Sequence, residues 1–505
     1  MGSIYKAPVD DIRFALFDVL GADAQYARLG FANATRDVCD AVLDEAARFT
    51  ESVVAPLNSV GDEHGCVYDK ATGSVTTPPG FKEAYTQFAE AGWAGLTGPE
   101  SAGGQDLPES LGAAVKEMLD AANLAWSNFS LLSHGVIEAL KQHGEEWQRQ
   151  AFLRPLIEGR WTGTMCLTEA HAGSDLGLLK TRAEPLPDGT YSITGSKIFI
   201  TAGEHDFTDN ILHLVLARLP DAPSGTKGIS LFIVPKVKVA RDGAMGDRNA
   251  VRCGSIEHKM GIHGSPTCVI NFDGAEGYLI GHPNKGLMAM FTMMNTARLA
   301  VGIQGLGLID RAWQNALAYS RERLQGRSMS GVKNPDKPAD PIIVHPDIRR
   351  MLLTCRALGE GARVLCSHAA MQVDVLERST DDAERKAADE LLGFLTPIVK
   401  GMSTEWANEC AYHALQCFGG HGYVREWGME QLARDARITT IYEGTTGIQG
   451  LDLLGRKTIQ LQGVGMRQFM GLIQEFCTEH STNAAMIEFI LPLAEVTKQW
   501  GDLTM

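Results

Sequence analysis

Apolar positions recur every three or four residues through DVCDAVLDEAARFTESVVAPL, FKEAYTQFAEAGWAGL, LGAAVKEMLDAANLAW and WQRQAFLRPLIEG. That period predicts amphipathic helices, and Pro78-Pro79-Gly80 and Gly103-Gly104 punctuate them. A shorter apolar-periodic piece, residues 12–20, predicts a helix packed on the body. Near Thr162 the period shortens to two. TRAEPL, TYSITGSKIFIT, ILHLVLARL, GISLFIVP and CVINFDG are rich in Ile, Val, Phe and Thr and bounded by turns such as PDG and GS, which predicts strands. Tyr191–Thr201 reads as a hairpin with Gly195-Ser196 in a two-residue loop. After Gly286 the helical period returns: residues 286–324 as one or two long helices, then 347–378 and 382–417. A Pro/Gly/Lys loop, residues 325–344, lies between the first two. Further helical material follows Lys457 and closes on IEFILPLAEVTKQWGDL.

With 505 residues the chain is too long for one core. The pattern divides it into an extension (1–35), an N-terminal helical domain (36–161), a middle β domain (162–281), a C-terminal helical domain (282–457) and an additional C-terminal helical segment (458–505). The fold class is α+β multidomain. The periodic stretch at the end has no clear helix cap, so a truncated or shortened tail is expected. Gly302, Gly305 and Gly307 lie inside a helical run and read as close helix packing, not as a dinucleotide fingerprint.

The formal net charge of −15 argues against nucleic acid or another polyanion as the main ligand. Ten cysteines form no CxxC pair and show no metal-ligand spacing, so neither a disulfide framework nor a metal is expected. MGSIYKAPVDD lacks an apolar leader core, and Lys6 stands where a myristoylation signal has Ser or Thr. No run reads as a membrane span, and a cytoplasmic protein is expected.

The chemistry centres on RDARITTIYEGTTGIQ, residues 434–449, with Glu443 in its middle. Ile438 to Ile441 deliver one carboxylate into a Gly/Thr turn. Among apolar groups a carboxylate loses hydration, its pKa rises, and it becomes a stronger base. Removal of a weakly acidic proton beside a carbonyl needs such a base. Gly444 allows close backbone approach, and Thr445 and Thr446 offer hydroxyls and amides. The alternative is an ordinary solvated Glu at a helix end.

Three further stretches, MCLTEAHAGSD (165–175), GSKIFITAG (195–203) and QCFGGHGY (416–423), together with IYEGTTGIQ, resemble the acyl-CoA dehydrogenase family in this order. The resemblance runs from about residue 36 to 457. It implies an N-terminal helical domain, a middle β domain and a C-terminal helical bundle. It also implies FAD, held by Met165, Leu167 and Thr168, by the Gly173-Ser174 turn, and by Phe199, Ile200 and Thr201 over the outer face of the ring. Thr445 and Gly447 complete that set. Arg323 and Gln325 match residues that reach a neighbouring subunit's flavin, and Gln416, Cys417, Gly419 and Gly420 match its adenosine contacts. A homodimer or homotetramer is therefore implied. Two departures stand out: Ala170-His171 where the family commonly has Pro after Thr-Glu, and Phe199 where it commonly has Trp.

In the family, a thioester is oxidised between Cα and Cβ, which makes Glu443 the α-proton base. Some relatives place the base immediately before the arginine that here is Arg298; Ala297 occupies that position and cannot accept a proton. Ser174, Asn295, Arg298 and Gly444 match substrate-binding positions, with Arg298 either binding a CoA phosphate or anchoring its helix. Leu287, Met288, Met290, Phe291, Met293 and Met294 are either an acyl pocket or core. The chain most resembles a long bacterial subgroup that includes 3-(methylthio)propanoyl-CoA dehydrogenase. A fatty acyl-CoA or a methylthio-substituted one is the expected substrate and electron-transfer flavoprotein the expected acceptor. The alternatives are an acyl-CoA oxidase using O₂, or a flavin-binding relative without dehydrogenation.

Overall fold

The computed structural model describes residues 3–504; Met1, Gly2 and Met505, the ends of the first and last predicted segments, lie outside them. Helices of the N-terminal part include α1 (Arg36–Phe49), α2 (Phe81–Glu90), α3 (Glu109–Ala122), α4 (Leu124–His143) and α5 (Glu146–Ile157). The apolar faces of α1 to α4 meet around Leu43, Phe81, Trp126 and Phe129, all buried. The N-terminal prefix folds onto them: Ile12 and Leu16 enter the same core. Asp11 receives both terminal nitrogens of Arg356, at 2.7 and 2.9 Å.

A seven-stranded sheet follows: β1 (Trp161–Cys166), β2 (Arg182–Pro185), β3 (Tyr191–Thr201), β4 (Asn210–Arg218), β5 (Ile229–Pro235), β6 (Val251–Ile256) and β7 (Thr267–Ile280). Their order is β6-β7-β3-β2-β4-β1, and β5 pairs with both β7 and β4, so the sheet closes on itself around Val215, Phe232, Ile270 and Phe272. The predicted hairpin at residues 191–201 is instead one continuous strand of 11 residues, paired with β7 along its length. The glycine read as a turn serves a close approach. A Cβ on Gly195 would stand 2.4 Å from Thr181 Oγ1.

The C-terminal bundle is built on α6 (Gly286–Glu322), α7 (Pro346–Arg378) and α8 (Asp382–Phe418), with α9 (Met429–Thr439) and α10 (Thr446–Leu451) carrying the Glu443 turn between them. α6 is a single helix of 37 residues. Contrary to the reading that no run reaches membrane-span length, α6 contains an 18-residue window of mean hydropathy 1.2. Its apolar surface is satisfied within the fold, against α3, α4, α7 and α8. Gly302 and Gly305 let α8 come close; a Cβ on Gly305 would meet the Ser403 carbonyl oxygen at 2.6 Å. α11 (Val464–Glu479) and α12 (Ile487–Thr504) add a final pair, docked through Phe469 and Trp500 on Phe394 of α8.

One cluster welds the parts together. Val136 and Leu140 of α4, Phe152 of α5, Leu214 and Ile233 of the sheet, and Met290 and Met293 of α6 share a single buried core. The sheet is thus held against the start of α6, beside the helix face that carries Arg298.

Candidate active site

The apolar run before Glu443 is the last turn of α9 and a tight turn after it, where Ile441 N and Tyr442 N both donate to the Ile438 carbonyl. Glu443 then adopts φ 54° and Gly444 φ 90°. A left-handed backbone at a residue bearing a Cβ costs about 1–2 kcal/mol, so the turn needs outside support. Gln449 Nε2 donates to the carbonyls of Glu443 and Gly444, each at 3.1 Å. Lys400 Nζ, from the middle of α8, donates to the Gly444 carbonyl at 2.6 Å. The neighbouring Tyr442 hydroxyl donates to Gln304 Oε1 on α6, and the Gln304 amide donates to Asn128 Oδ1 on α4 at 2.8 Å.

Glu443 is half-buried. Removal from water drives its carboxyl up to about 7, against the pull of the Arg298 and Lys400 charges. A base in that range is about half ionised at neutral pH and strong enough to take a carbon-bound proton activated by a thioester carbonyl. Because only the ionised form accepts a proton, activity rises with pH through about 7. Below that value kcat/KM falls about tenfold per pH unit; a pH profile of substrate-driven flavin reduction measures it.

Arg298 is buried, and its Nη1 pairs with Asp452 at 2.8 Å. Arg456 also faces Asp452, at 3.3 Å. Of the two roles left open by the sequence, the structure shows the anchoring one: the guanidinium ties α6 to the segment after α10, and is not presented to solvent for a CoA phosphate. Asn295 lies elsewhere, on the wall of a 1240 Å³ cavity that Met288 and Phe291 also line. Met290 and Met293 are core, and Leu287 and Met294 pack against the same core, so the apolar cluster at the start of α6 divides between cavity and interior. Glu443 is not among the cavity's lining residues. Glu109 and His134, 3.3 Å apart, border it as a compensated pair. Their mutual attraction outweighs burial, holding Glu109 down to about 2 and His134 up to about 9.

The strand end expected to face the flavin is fastened from beneath by residues that sequence reading passed over. Lys197, fully buried, donates from Nζ to the Leu167 carbonyl at 3.0 Å and to Glu169 Oε1 at 2.9 Å. Glu169 also accepts from Lys180 N, Thr181 N and the Thr181 hydroxyl. Desolvation is overcome by Lys197 and these donors, holding the Glu169 carboxyl down to about 2. The available signal was a lone lysine in the apolar run KIFIT. Above this support Met165 and Thr168 are half-buried, and Gly173 and Ser174 lie exposed. Phe199, at φ 59°, leaves the line of the strand and is 60% exposed. A large aromatic in a strained left-handed position and in water fits a flat ring stacked on this strand end. Thr201 is half-buried, but the Ile200 side chain points into the sheet core.

The remaining cofactor positions divide. Gln416, Gly419 and Gly420 are exposed, and a Cβ on either glycine would meet nothing within 4 Å. The Cys417 side chain is buried in the bundle core, so only its backbone remains for a ligand. Gln325 spends its backbone on Asp340 and His345 while its side chain is exposed. The Thr445 hydroxyl accepts from Ile448 N as the cap of α10, and Gly447 is exposed in the first turn. Arg323 is exposed at the far end of α6, roughly 37 Å along the helix axis from Arg298.

Family models for the acyl-CoA dehydrogenase N-terminal, middle and C-terminal domains match residues 37–160, 164–275 and 284–457. The chain is 46% identical to 3-methylmercaptopropionyl-CoA dehydrogenase of Ruegeria pomeroyi, over 93% of this chain and 79% of that one. It is 36% identical to the broad-specificity linear acyl-CoA dehydrogenase FadE5 of Mycobacterium tuberculosis, over 96% and 80%. Butyryl-CoA dehydrogenase from Megasphaera elsdenii shares the fold with TM-score 0.67 and 26% identity, over 83% of this chain and 97% of that one. This chain belongs to the acyl-CoA dehydrogenase family of FAD-dependent oxidoreductases.

Proposed function

We propose that this enzyme oxidises a fatty acyl-CoA or 3-(methylthio)propanoyl-CoA to its trans-2-enoyl thioester, with Glu443 removing the α-proton. The observation that carries this reading is the half-buried Glu443 carboxyl, raised to about 7 by burial and held on a turn that three helices brace. Ala297 leaves no second base next to Arg298. FAD, when bound, supplies the acceptor for the hydride equivalent from Cβ. Met165, Leu167, Thr168, the Gly173-Ser174 turn and Phe199 would hold its ring. As the α-proton passes to Glu443, negative charge grows on the thioester oxygen and needs donors fixed in advance; the backbone N–H of the rigidly held Glu443 turn is suited to that task.

The methylthio substrate is supported by the likeness to the Ruegeria protein, the straight-chain substrates by the likeness to FadE5. Electrons would leave by electron-transfer flavoprotein, as expected for a dehydrogenase serving fatty acid β-oxidation. Exposed Arg323 and the Gln416 to Gly420 segment support a homo-oligomer, because Arg323 lies too far along α6 to serve the flavin beside its own Arg298. All ten cysteines are free thiols, as a reducing cytoplasm keeps them. The test is an anaerobic titration of the purified protein with short, long and methylthio-substituted acyl-CoAs, following flavin bleaching. Bleaching by at least one class, with reoxidation by electron-transfer flavoprotein and no peroxide in air, is expected. A flavin that no thioester bleaches would overturn the reading.

A further inference from the structure

Lys400 is the ionisable group of this region that the proposed chemistry leaves unused. It sits in the apolar helical run FLTPIVKGM of α8 and is fully buried. Burying an ammonium is unfavourable by several kcal/mol unless strong partners compensate. Its hydrogen bond runs to the Gly444 carbonyl, 2.6 Å away, directly after the base and inside the left-handed turn. We propose that Lys400 is a positioning residue for the dehydrogenation, bracing the Glu443–Gly444 turn through that bond and holding a positive charge against the turn that carries the carboxylate.

This rests on Glu443 being the base, and goes beyond it by assigning what sets that base. The geometry separates two contributions. Gln449 also donates to the Gly444 carbonyl, at 3.1 Å, so the bond from Lys400 is shared work; the pull on the carboxyl it shares with Arg298. The groups around the carboxylate are few. Arg298 on α6 is neutralised by Asp452, which Arg456 also faces. Glu405, on α8 with Lys400, accepts from the Thr446 hydroxyl at 2.6 Å. Tyr442 is tied to Gln304 and its hydroxyl is pushed further up by burial, so it stays neutral. Lys400 is therefore the one cation among these neighbours without a carboxylate of its own. Burial pulls its ammonium down to about 8, against the attraction of Glu443. Between about 7 and about 8 the base is ionised and the lysine still charged. The pH profile is consequently a bell, with its acid limb from Glu443 and its alkaline limb from Lys400.

Three variants of the full-length holoenzyme test this: Lys400→Gln, which keeps a donor and loses the charge; Lys400→Arg, which keeps the charge; and Lys400→Met, which loses both. For Lys400→Gln the expected results are an acid limb moved about one pH unit upward, loss of the alkaline limb, kcat at pH 7 down about fivefold, and KM within about twofold. Lys400→Arg keeps the acid limb and moves the alkaline limb beyond reach. A readout independent of turnover comes from infrared difference titration of the Glu443 carboxyl in the holoenzyme with its flavin oxidised, with Glu443→Gln identifying the band. In Lys400→Gln that band titrates at higher pH. If Lys400→Met does not fold, the Gln and Arg pair carries the test. An unshifted infrared titration and unshifted limbs in Lys400→Gln overturn the proposal. A wild type that no acyl-CoA reduces overturns the functional reading instead, and the infrared titration still decides for or against Lys400.

Discussion

Glu443→Gln yields a folded protein that binds FAD but whose flavin no acyl-CoA bleaches at a measurable rate. The substitution keeps the side chain's size and replaces the group that must accept the α-proton. The loss is expected at about 10²–10⁴-fold in the rate of flavin reduction, with the larger value favoured because Ala297 offers no substitute carboxylate. The backbone of the turn is unaffected: Gln449 and Lys400 bind carbonyls of residues 443 and 444, not the Glu443 side chain. Binding of thioester should therefore survive, and stability relative to the wild type should rise as pH climbs from about 4.5 to about 7. The wild-type carboxyl has a folded pKa raised to about 7. It contributes stability fully below its unfolded value and loses that contribution as pH climbs through about 7; the amide has none to lose. Stopped-flow reduction and thermal melts across pH measure both effects. Normal bleaching in the variant would place the base elsewhere.

Lys197→Met is the second large effect, and it falls on stability and flavin retention before chemistry. The ammonium is fully buried and is the only cation bonded to the nearly buried Glu169 among the described residues, apart from His171 at 3.5 Å on the exposed side. Removing one partner of such a pair leaves an uncompensated buried charge, at about 3–5 kcal/mol. The same lysine donates to the Leu167 carbonyl, so the strand end beneath Met165 and Thr168 loses its brace as well. A lowered Tm and a reduced flavin-to-protein ratio after gel filtration are expected together. Lys197→Met with wild-type melting would show that Glu169 is held by Thr181 and Lys180 alone.

Much of this was legible in one dimension. The switch of period from 3.6 to 2 and back marks where the sheet lies between two helical parts, because burial of one face imposes those periods locally. The acyl-CoA dehydrogenase fold class followed from four motifs in order, and family models matching all three parts show it. The hairpin failed because Gly195 serves a contact with Thr181, and a glycine needed for close approach looks the same in sequence as one needed for a turn. The reading that no run reaches membrane-span length missed the apolar window of α6, which packs against four other helices inside the fold.

The sequence by itself determined the order of layers and the reaction class, and it offered Glu443 as the candidate base, since each is written in a contiguous stretch or a short series of motifs. Tertiary structure alone decided which charges act on that base. Lys400 and Arg298 stand far from Glu443 in the chain, and their effect exists only once α6 and α8 enclose the turn. The same holds for Arg298, whose role depends on meeting Asp452, and for Lys197, whose role depends on a strand pairing. Hydrophobic periodicity is a property of neighbours along the chain; desolvation and charge pairing are properties of neighbours in space, which the fold has to bring together first.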